Sequence, residues 1–188
     1  MREIALHVLD LVQNSLRAGA RLIKVEIVED THLDSLVITI KDDGCGMERA
    51  LLEKVLDPFT TTRTTRKVGL GLPLLKMAAE RAAGELSIDS KPGEGTVVTA
   101  RFQHSHIDRM PLGDMAGSML TAIISNPAVD VVYRHRVDQR AWEVDTRTIK
   151  AEVGEEALTL PVVIQWLKSY LEQGVSYLYG GVVENEIS

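Results

Sequence analysis

Residues 22–28, LIKVEIV, alternate apolar and polar positions, and after the polar turn DTHLDS residues 36–41, LVITIK, do so again. Alternation at period two sends every second side chain to one face, so the pair predicts a hairpin whose apolar face has to be covered. Residues 3–17 supply the cover. Ile4, Val8, Leu11 and Val12 recur at helical spacing, and Ala5, Leu9 and Leu16 widen the stripe. Gly19 stands where a left-handed cap ends such a helix. ERALLEKVL predicts a short helix stopped at Asp57-Pro58, and residues 72–83 another, with Pro73 in its first turn and Gly84 behind it. ELSIDS and TVVTARF then form a second strand pair around the turn KPGEG. Helix, strand pair, helices, strand pair is an α+β order with mostly antiparallel pairing, unlike the regular βαβ alternation of a doubly wound sheet.

The character changes after residue 103. HSHIDRMPLGDM reads as a linker and 113–125 as a helix. VDVVYRHRV and AWEVDTRTIKAEV read as two strands joined by Asp138-Gln139-Arg140. Residues 161–173 read as an amphipathic helix with Pro161 near its start and Gly174 at its end. The expected organisation is therefore a domain over 1–103 and a smaller α+β extension over 104–188. At 188 residues and 45% hydrophobic content, a sizeable core is available to such a chain. A net charge of −6 argues against a nucleic-acid partner, which asks for a basic face. The single Cys45 excludes an intrachain disulfide framework, and no run approaches the ~20 apolar residues of a membrane span. Asp10 and Asn14 interrupt the N-terminal segment, so it is not expected to be a signal peptide. A soluble cytoplasmic protein is the expectation.

Three clusters carry potential chemistry. Glu3, His7, Asp10, Asn14 and Arg17 are spaced 4, 3, 4 and 3, which puts them on one side of the first helix. Spacing alone favours a solvated helix face, yet a carboxylate and an amide one turn apart also suit a hard cation or a water. DDGCG, residues 42–46, follows a strand; its two glycines let the backbone pass close to a flat ligand, and Asp42 or Asp43 can accept from an exocyclic amine. As Asp-Gly is a common turn pair, that signal is moderate by itself. VGLGL, residues 68–72, opens directly into a helix, so Gly69 and Gly71 can aim backbone N–H groups at an anion where the helix dipole is positive. Arg63, Arg66, Lys67 and a run of threonines stand just upstream. KPGEGT adds a second Gly-x-Gly, by itself a hairpin turn. His104 and His106 have the spacing of a metal pair but no third ligand nearby, and a solvated turn is expected for them; His135 is expected to be a partly buried structural histidine. The C-terminal aromatics, Trp142, Trp166, Tyr170, Tyr177 and Tyr179, are expected to be mostly core, with some on a partner surface.

Taken in order, Asn14 on a helix, Asp42-x-Gly44-x-Gly46 after a strand, Gly69-x-Gly71 before a helix and Gly95-Thr96 before a strand resemble the GHKL ATPases, the superfamily of gyrase, the heat-shock 90 chaperone, sensor histidine kinases and mismatch-repair ATPases. The resemblance covers residues 1–103. It implies the Bergerat ATP-binding fold, a two-layer α/β sandwich, with ATP and Mg²⁺ as ligands. DPFTTTR and GLGLPLLK are similar to the sensor kinases, whereas NSLRAGA and DDGCGM are similar to mismatch-repair proteins. The resemblance implies that Asn14 ligates Mg²⁺, Arg17 reaches phosphate and Asp42 accepts the adenine amine. Gly44 and Gly46 would let the loop pass the base, Met47 would be among the nucleotide-binding residues, and Thr96 would support the adenine side. Phe59 would anchor a lid, from which Thr61, Thr62, Arg63 and Lys67 reach phosphate. Val68, Gly69, Leu70, Gly71 and Leu72 would form its hinge.

Asp10, four before Asn14, stands where hydrolysing relatives carry a general-base Glu, one methylene longer. Lys67 stands where the kinases usually have the first glycine of a longer loop, which either costs backbone freedom or adds a phosphate contact. No phosphoacceptor box, a His followed by an acidic residue and Pro-Leu, occurs, so the acceptor is expected in another protein or in the C-terminal segment. Three functions follow: phosphoryl transfer to a partner protein, an ATP-hydrolysing switch with Asp10 as base, and a nucleotide-sensing module without turnover. The first is preferred. The C-terminal segment is then a partner-binding or dimerisation surface, with a homodimer left open.

Overall fold

The computed structural model describes residues 3–55 and 71–181. The first helix, α1 (Ile4–Arg17), is followed by the hairpin β1 (Leu22–Asp30) and β2 (Ser35–Asp42). Two helices come next, α2 (Arg49–Val55) and α3 (Gly71–Arg81), then the hairpin β3 (Glu85–Lys91) and β4 (Gly95–Gln103). The remainder is α4 (Met115–Ser125), β5 (Asp130–Val137), β6 (Arg140–Asp145), α5 (Thr146–Val153), a 3₁₀ turn over Glu155–Thr159, and α6 (Pro161–Leu178).

The six strands of the described residues form one sheet in the order β3-β4-β2-β1-β5-β6. Four of the five pairings are antiparallel; β5 lies parallel to β1, in the register Ile23↔Val131 and Ile27↔His135, so the sheet is mixed. The alternation seen in the sequence is realised. Ile23, Val25 and Ile27 of β1 and Leu36, Ile38 and Ile40 of β2 are buried on one face, while Lys24, Glu26 and Lys41 are exposed on the other. The apolar side of α1 (Ile4, Val8, Leu11, Val12) and Met115, Met119 and Ile123 of α4 join them in a single core. Each such side chain contributes about 1.5–3 kcal/mol by leaving water. The C-terminal segment thus adds two strands to the sheet and a helix to its cover.

Two expectations are corrected. AWEVDTRTIKAEV is not one strand: β6 ends at Asp145, and α5 begins at Thr146. Asp145 accepts from the Arg147 backbone N–H at 2.9 Å as the helix N-cap, and Val131 of β5 donates its N–H to Thr146 Oγ1 at 2.8 Å instead of to a continuing strand. Gly174 does not end α6, which runs on to Leu178. There the missing side chain is a packing device, because a Cβ on Gly174 would stand 2.3 Å from the Trp142 ring.

The histidines are also placed. His135 is fully buried, its Nε2 2.9 Å from Glu29 Oε1 and its Nδ1 2.9 Å from the Tyr133 hydroxyl. His104 Nε2 lies 2.9 Å from Glu29 Oε2, so it is tied to a buried carboxylate and is not a solvated turn residue. The Tyr179 hydroxyl donates to the same carboxylate. No described helix is long and apolar enough to cross a membrane.

Candidate functional site

Asp42 is the last residue of β2 and points to the buried face, in line with Ile38 and Ile40. A carboxylate there needs donors, and two are present. Ser15 of α1 donates its hydroxyl to Asp42 Oδ2 at 2.6 Å, and the Gly44 N–H donates to Oδ1 at 2.9 Å. Each oxygen keeps a second lone pair for another donor. Thr96 is the β4 partner of Asp42 in the sheet, and its hydroxyl lies 2.9 Å from Ser90 Oγ. Ser90 Oγ also accepts from the Met47 N–H at 2.9 Å, which ties the loop after β2 to the β3–β4 turn. The apolar face of the sheet therefore ends in a polar group of Ser15, Asp42, Ser90 and Thr96.

The other candidate carboxylate of the loop is structural. Asp43 Oδ1 accepts from the backbone N–H groups of Leu22 at 2.9 Å and Arg21 at 2.7 Å, and these bonds hold its carboxyl below the usual range. The glycines serve close approach. A Cβ on Gly46, whose φ is +66°, would stand 1.9 Å from the Lys91 carbonyl oxygen, and one on Gly44 would meet Ala18 at 2.9 Å. Cys45 completes the clamp: its N–H donates to Ala18 O and its carbonyl accepts from Gly93.

The polar stripe of α1 reaches the same place. Gly71 opens α3, and a Cβ there would stand 1.8 Å from Asp10 Oδ2, so the Asp10 carboxylate lies directly against the N-terminus of that helix. Asp10 Oδ2 and Asn14 Nδ2 are buried atoms without a hydrogen-bond partner among the described residues. Arg17 donates to Asn14 Oδ1 at 3.2 Å. Leu72 turns its side chain into the core, leaving its backbone at the first turn of α3. The described candidates, Asp10, Asn14, Arg17, Asp42, Gly44, Gly46, Met47, Gly71, Leu72 and Thr96, are linked through these contacts into one region. Phe59, Thr61, Thr62, Arg63, Lys67, Val68, Gly69 and Leu70 lie outside the described residues.

Ser15 and Ser90 were missed by sequence reasoning. Ser15 left a signal, since it falls in phase with Val8, Leu11 and Val12 and is a polar residue on an apolar face. Ser90 left none. Among the described residues, no group of three or more His, Cys, Asp or Glu side chains is set to hold a metal ion. Among the described residues, what the site offers a hard cation is the side-chain oxygen of Asn14, which also accepts from Arg17, beside the Asp10 carboxylate. That fits Mg²⁺, which takes few protein ligands when phosphates supply the rest.

A family model described as "Histidine kinase-, DNA gyrase B-, and HSP90-like ATPase" matches residues 2–106. The signal transduction histidine-protein kinase AtoS of Escherichia coli K12 is 34% identical over 92 residues, covering 48% of this chain and 15% of its own length. The cell-division control histidine kinase PdhS of Brucella ovis is 30% identical over 120 residues, covering 56% of this chain and 12% of its own. The chain thus spans about an eighth of the length of these relatives. Among solved structures, the N-terminal domain of a DNA repair protein superposes with a TM-score of 0.54 at 16% identity, over 77% of this chain and 52% of that one. That likeness concerns the fold alone.

Proposed function

Because the chain belongs to the family of histidine kinase-, DNA gyrase B- and HSP90-like ATPases, we propose that it binds ATP with Mg²⁺ and passes the γ-phosphoryl group to a partner protein. The site lies between α1, the loop after β2 and the N-terminus of α3. One observation carries this reading: a buried carboxylate, Asp42, is fixed on both oxygens by Ser15 and Gly44 beside Thr96. Such a group accepts an exocyclic amine at a set distance and leaves the base no freedom to shift. Gly44 and Gly46 seat the loop against Ala18 and Lys91, which holds it beside the space proposed for the adenine. The phosphates then point toward α3, whose first N–H groups and dipole favour negative charge. Arg17 adds a cation from α1.

Bound Mg²⁺ would neutralise phosphate charge, with Asn14 as its protein ligand. Phosphoryl transfer asks a protein for positioning and charge stabilisation, which these residues supply without a covalent intermediate. The acceptor is a separate protein, docked in part on the C-terminal segment, where the half-exposed Trp166 stacks on Tyr170 with ring centroids 5.3 Å apart.

A second reading, hydrolysis, is favoured by Asp10. Its carboxylate has a buried oxygen without a partner among the described residues and abuts the helix N-terminus at which the γ-phosphate is expected. A base there can take a proton from water. The deciding experiment incubates the protein with Mg²⁺ and γ-labelled ATP, with and without lysate of its source. Label on a second protein and negligible free phosphate support transfer. Steady phosphate release without lysate, lost in Asp10→Asn, supports hydrolysis. Failure to bind ATP at millimolar concentration would remove both.

A further inference from the structure

α1, α3, α4 and α6 all pack into the core on one face of the sheet, and the face turned away from it is open. An uncovered face is ordinary for a largely antiparallel sheet, so exposure alone decides nothing. Its charges do. Strand register sets Lys24 of β1 directly opposite Lys41 of β2, and both are exposed. Like charges directly opposite one another weaken a strand pair. Two residues along, Glu26 of β1 stands beside Arg134 of β5, but Arg134 already donates to Glu143 of β6 at 2.7 Å. Two residues further, the exposed Arg136 of β5 stands beside the half-buried Val28 and Val37. The charges of Asp145 and Lys24 attract, yet the Asp145 carboxylate is bound by Arg147 at 2.6 Å. Among the described residues, Lys24, Lys41 and Arg136 form no ion pair. The middle of this face is thus positive in a chain whose net charge is −6.

We propose that this open face, centred on Lys24, Lys41 and Arg136, docks an acidic segment of another protein. Charge complementarity argues for that occupant. A carboxylate seated over Lys24 and Lys41 relieves their mutual repulsion, and a second one meets Arg136. Val28, Val37 and Val132 lie among these cations and offer ground for apolar side chains of the same segment. Nucleic acid suits the face less well. Glu26 and Glu143 interrupt any track of phosphates, and a chain of net charge −6 repels a polyanion. Neighbouring residues of a strand point to opposite faces, so Lys41 looks away from the side on which Asp42 is buried. Docking therefore leaves the proposed nucleotide site open, and it does not depend on what happens to the γ-phosphate.

The test titrates the nitrogen-15-labelled full chain with a glutamate-rich peptide carrying interspersed leucines. Separate arms use a lysine-rich peptide of equal length and a single-stranded DNA oligonucleotide. The glutamate-rich peptide is expected to move the amide signals of Lys24, Lys41, Val132 and Arg136 while leaving that of Arg17 in place, and to bind more weakly as salt is raised. The lysine-rich peptide is expected to move none of them. Lys24→Glu is expected to weaken peptide binding about tenfold or more. Because that change sets a carboxylate opposite Lys41, its midpoint of urea unfolding is expected to be no lower than that of the wild type. Arg136→Glu, on another strand, is expected to weaken binding likewise and decides the matter should Lys24→Glu misfold. Absence of binding, shifts confined to Arg17 and the start of α3, wild-type affinity in both variants, or tighter binding of the DNA than of the peptide would overturn the proposal. So would a wild-type dimer in sedimentation that Lys24→Glu dissociates, since the face would then belong to a second copy of the chain.

Discussion

At the scale of the residue, the site depends on which oxygen faces which donor. Asp42 accepts on both carboxylate oxygens, from Ser15 and from the Gly44 N–H. An asparagine there would present an NH₂ to one of these donors and lose an acceptor that the proposed adenine amine would use. Asp42→Asn is expected to weaken ATP binding roughly ten- to a hundredfold, the range of a charged hydrogen bond of about 1.5–3 kcal/mol. Titration calorimetry with ATP measures it, and a wild-type affinity would remove Asp42 from the site. Glu29 is a second residue-scale case. Burial alone would raise its pKa, but hydrogen bonds from His135, Tyr179 and His104 outweigh that and hold it at about 2, below the usual 4.5. A depressed folded-state value stabilises the fold above the unfolded pKa and is lost as pH falls through the folded one. The contribution, about 3 kcal/mol, should therefore be complete above pH 4.5 and vanish toward pH 2. Acid titration of chemical unfolding is expected to show that limb in the wild type and a flatter one in Glu29→Gln.

At the scale of the element, helices and strands end where a particular contact ends them. β6 stops because Asp145 caps a helix and Thr146 takes the next strand donor, that of Val131. Those cues were present in the sequence as an Asp-Thr pair, but the alternating AWEV before it masked the change of period. Gly174 gave the opposite error. A glycine behind a helical stripe normally marks a C-terminus, and only the partner surface reveals that it makes room for Trp142. Gly174→Ala would push a methyl into that ring. It is expected to destabilise the chain by about 1–3 kcal/mol, read from the midpoint of urea unfolding, with a shift in tryptophan fluorescence. Unchanged stability would mean that α6 and β6 are not packed as described.

At the scale of the whole molecule, the six-stranded sheet joins the two halves of the chain. β1 is flanked by β2 from its own hairpin and by β5 from more than a hundred residues later. α4 covers the same core as α1, with Met115, Met119 and Ile123 at most 1% exposed. Deleting residues 104–188 would open the β1 edge and uncover these contacts, a loss on the order of 5–10 kcal/mol, comparable with the entire stability of a domain. The truncated chain 1–103 is expected to lose cooperative thermal unfolding and to bind a hydrophobic dye, as calorimetry and fluorescence would show. A sharp transition in 1–103 would instead make it an independent domain, with 104–188 as a separate extension.

What the sequence determined by itself is local and periodic. The helical stripe of α1, the two hairpins, and the ordered Asn, DxGxG, GxG and GxGT segments follow from spacing within short windows, because alternation and turn chemistry depend on near neighbours. Tertiary structure decided what depends on distant ones. It placed Asp42 at the end of the buried face, held by Ser15 and Gly44, and tied Asp43 to the start of β1. It set Asp10 against Gly71 and gathered His104, His135 and Tyr179 around the Glu29 carboxylate. Apart from the local Asp42–Gly44 bond, these contacts join residues tens to more than a hundred positions apart, and their partners are selected by packing and by the demand that buried polar groups find donors.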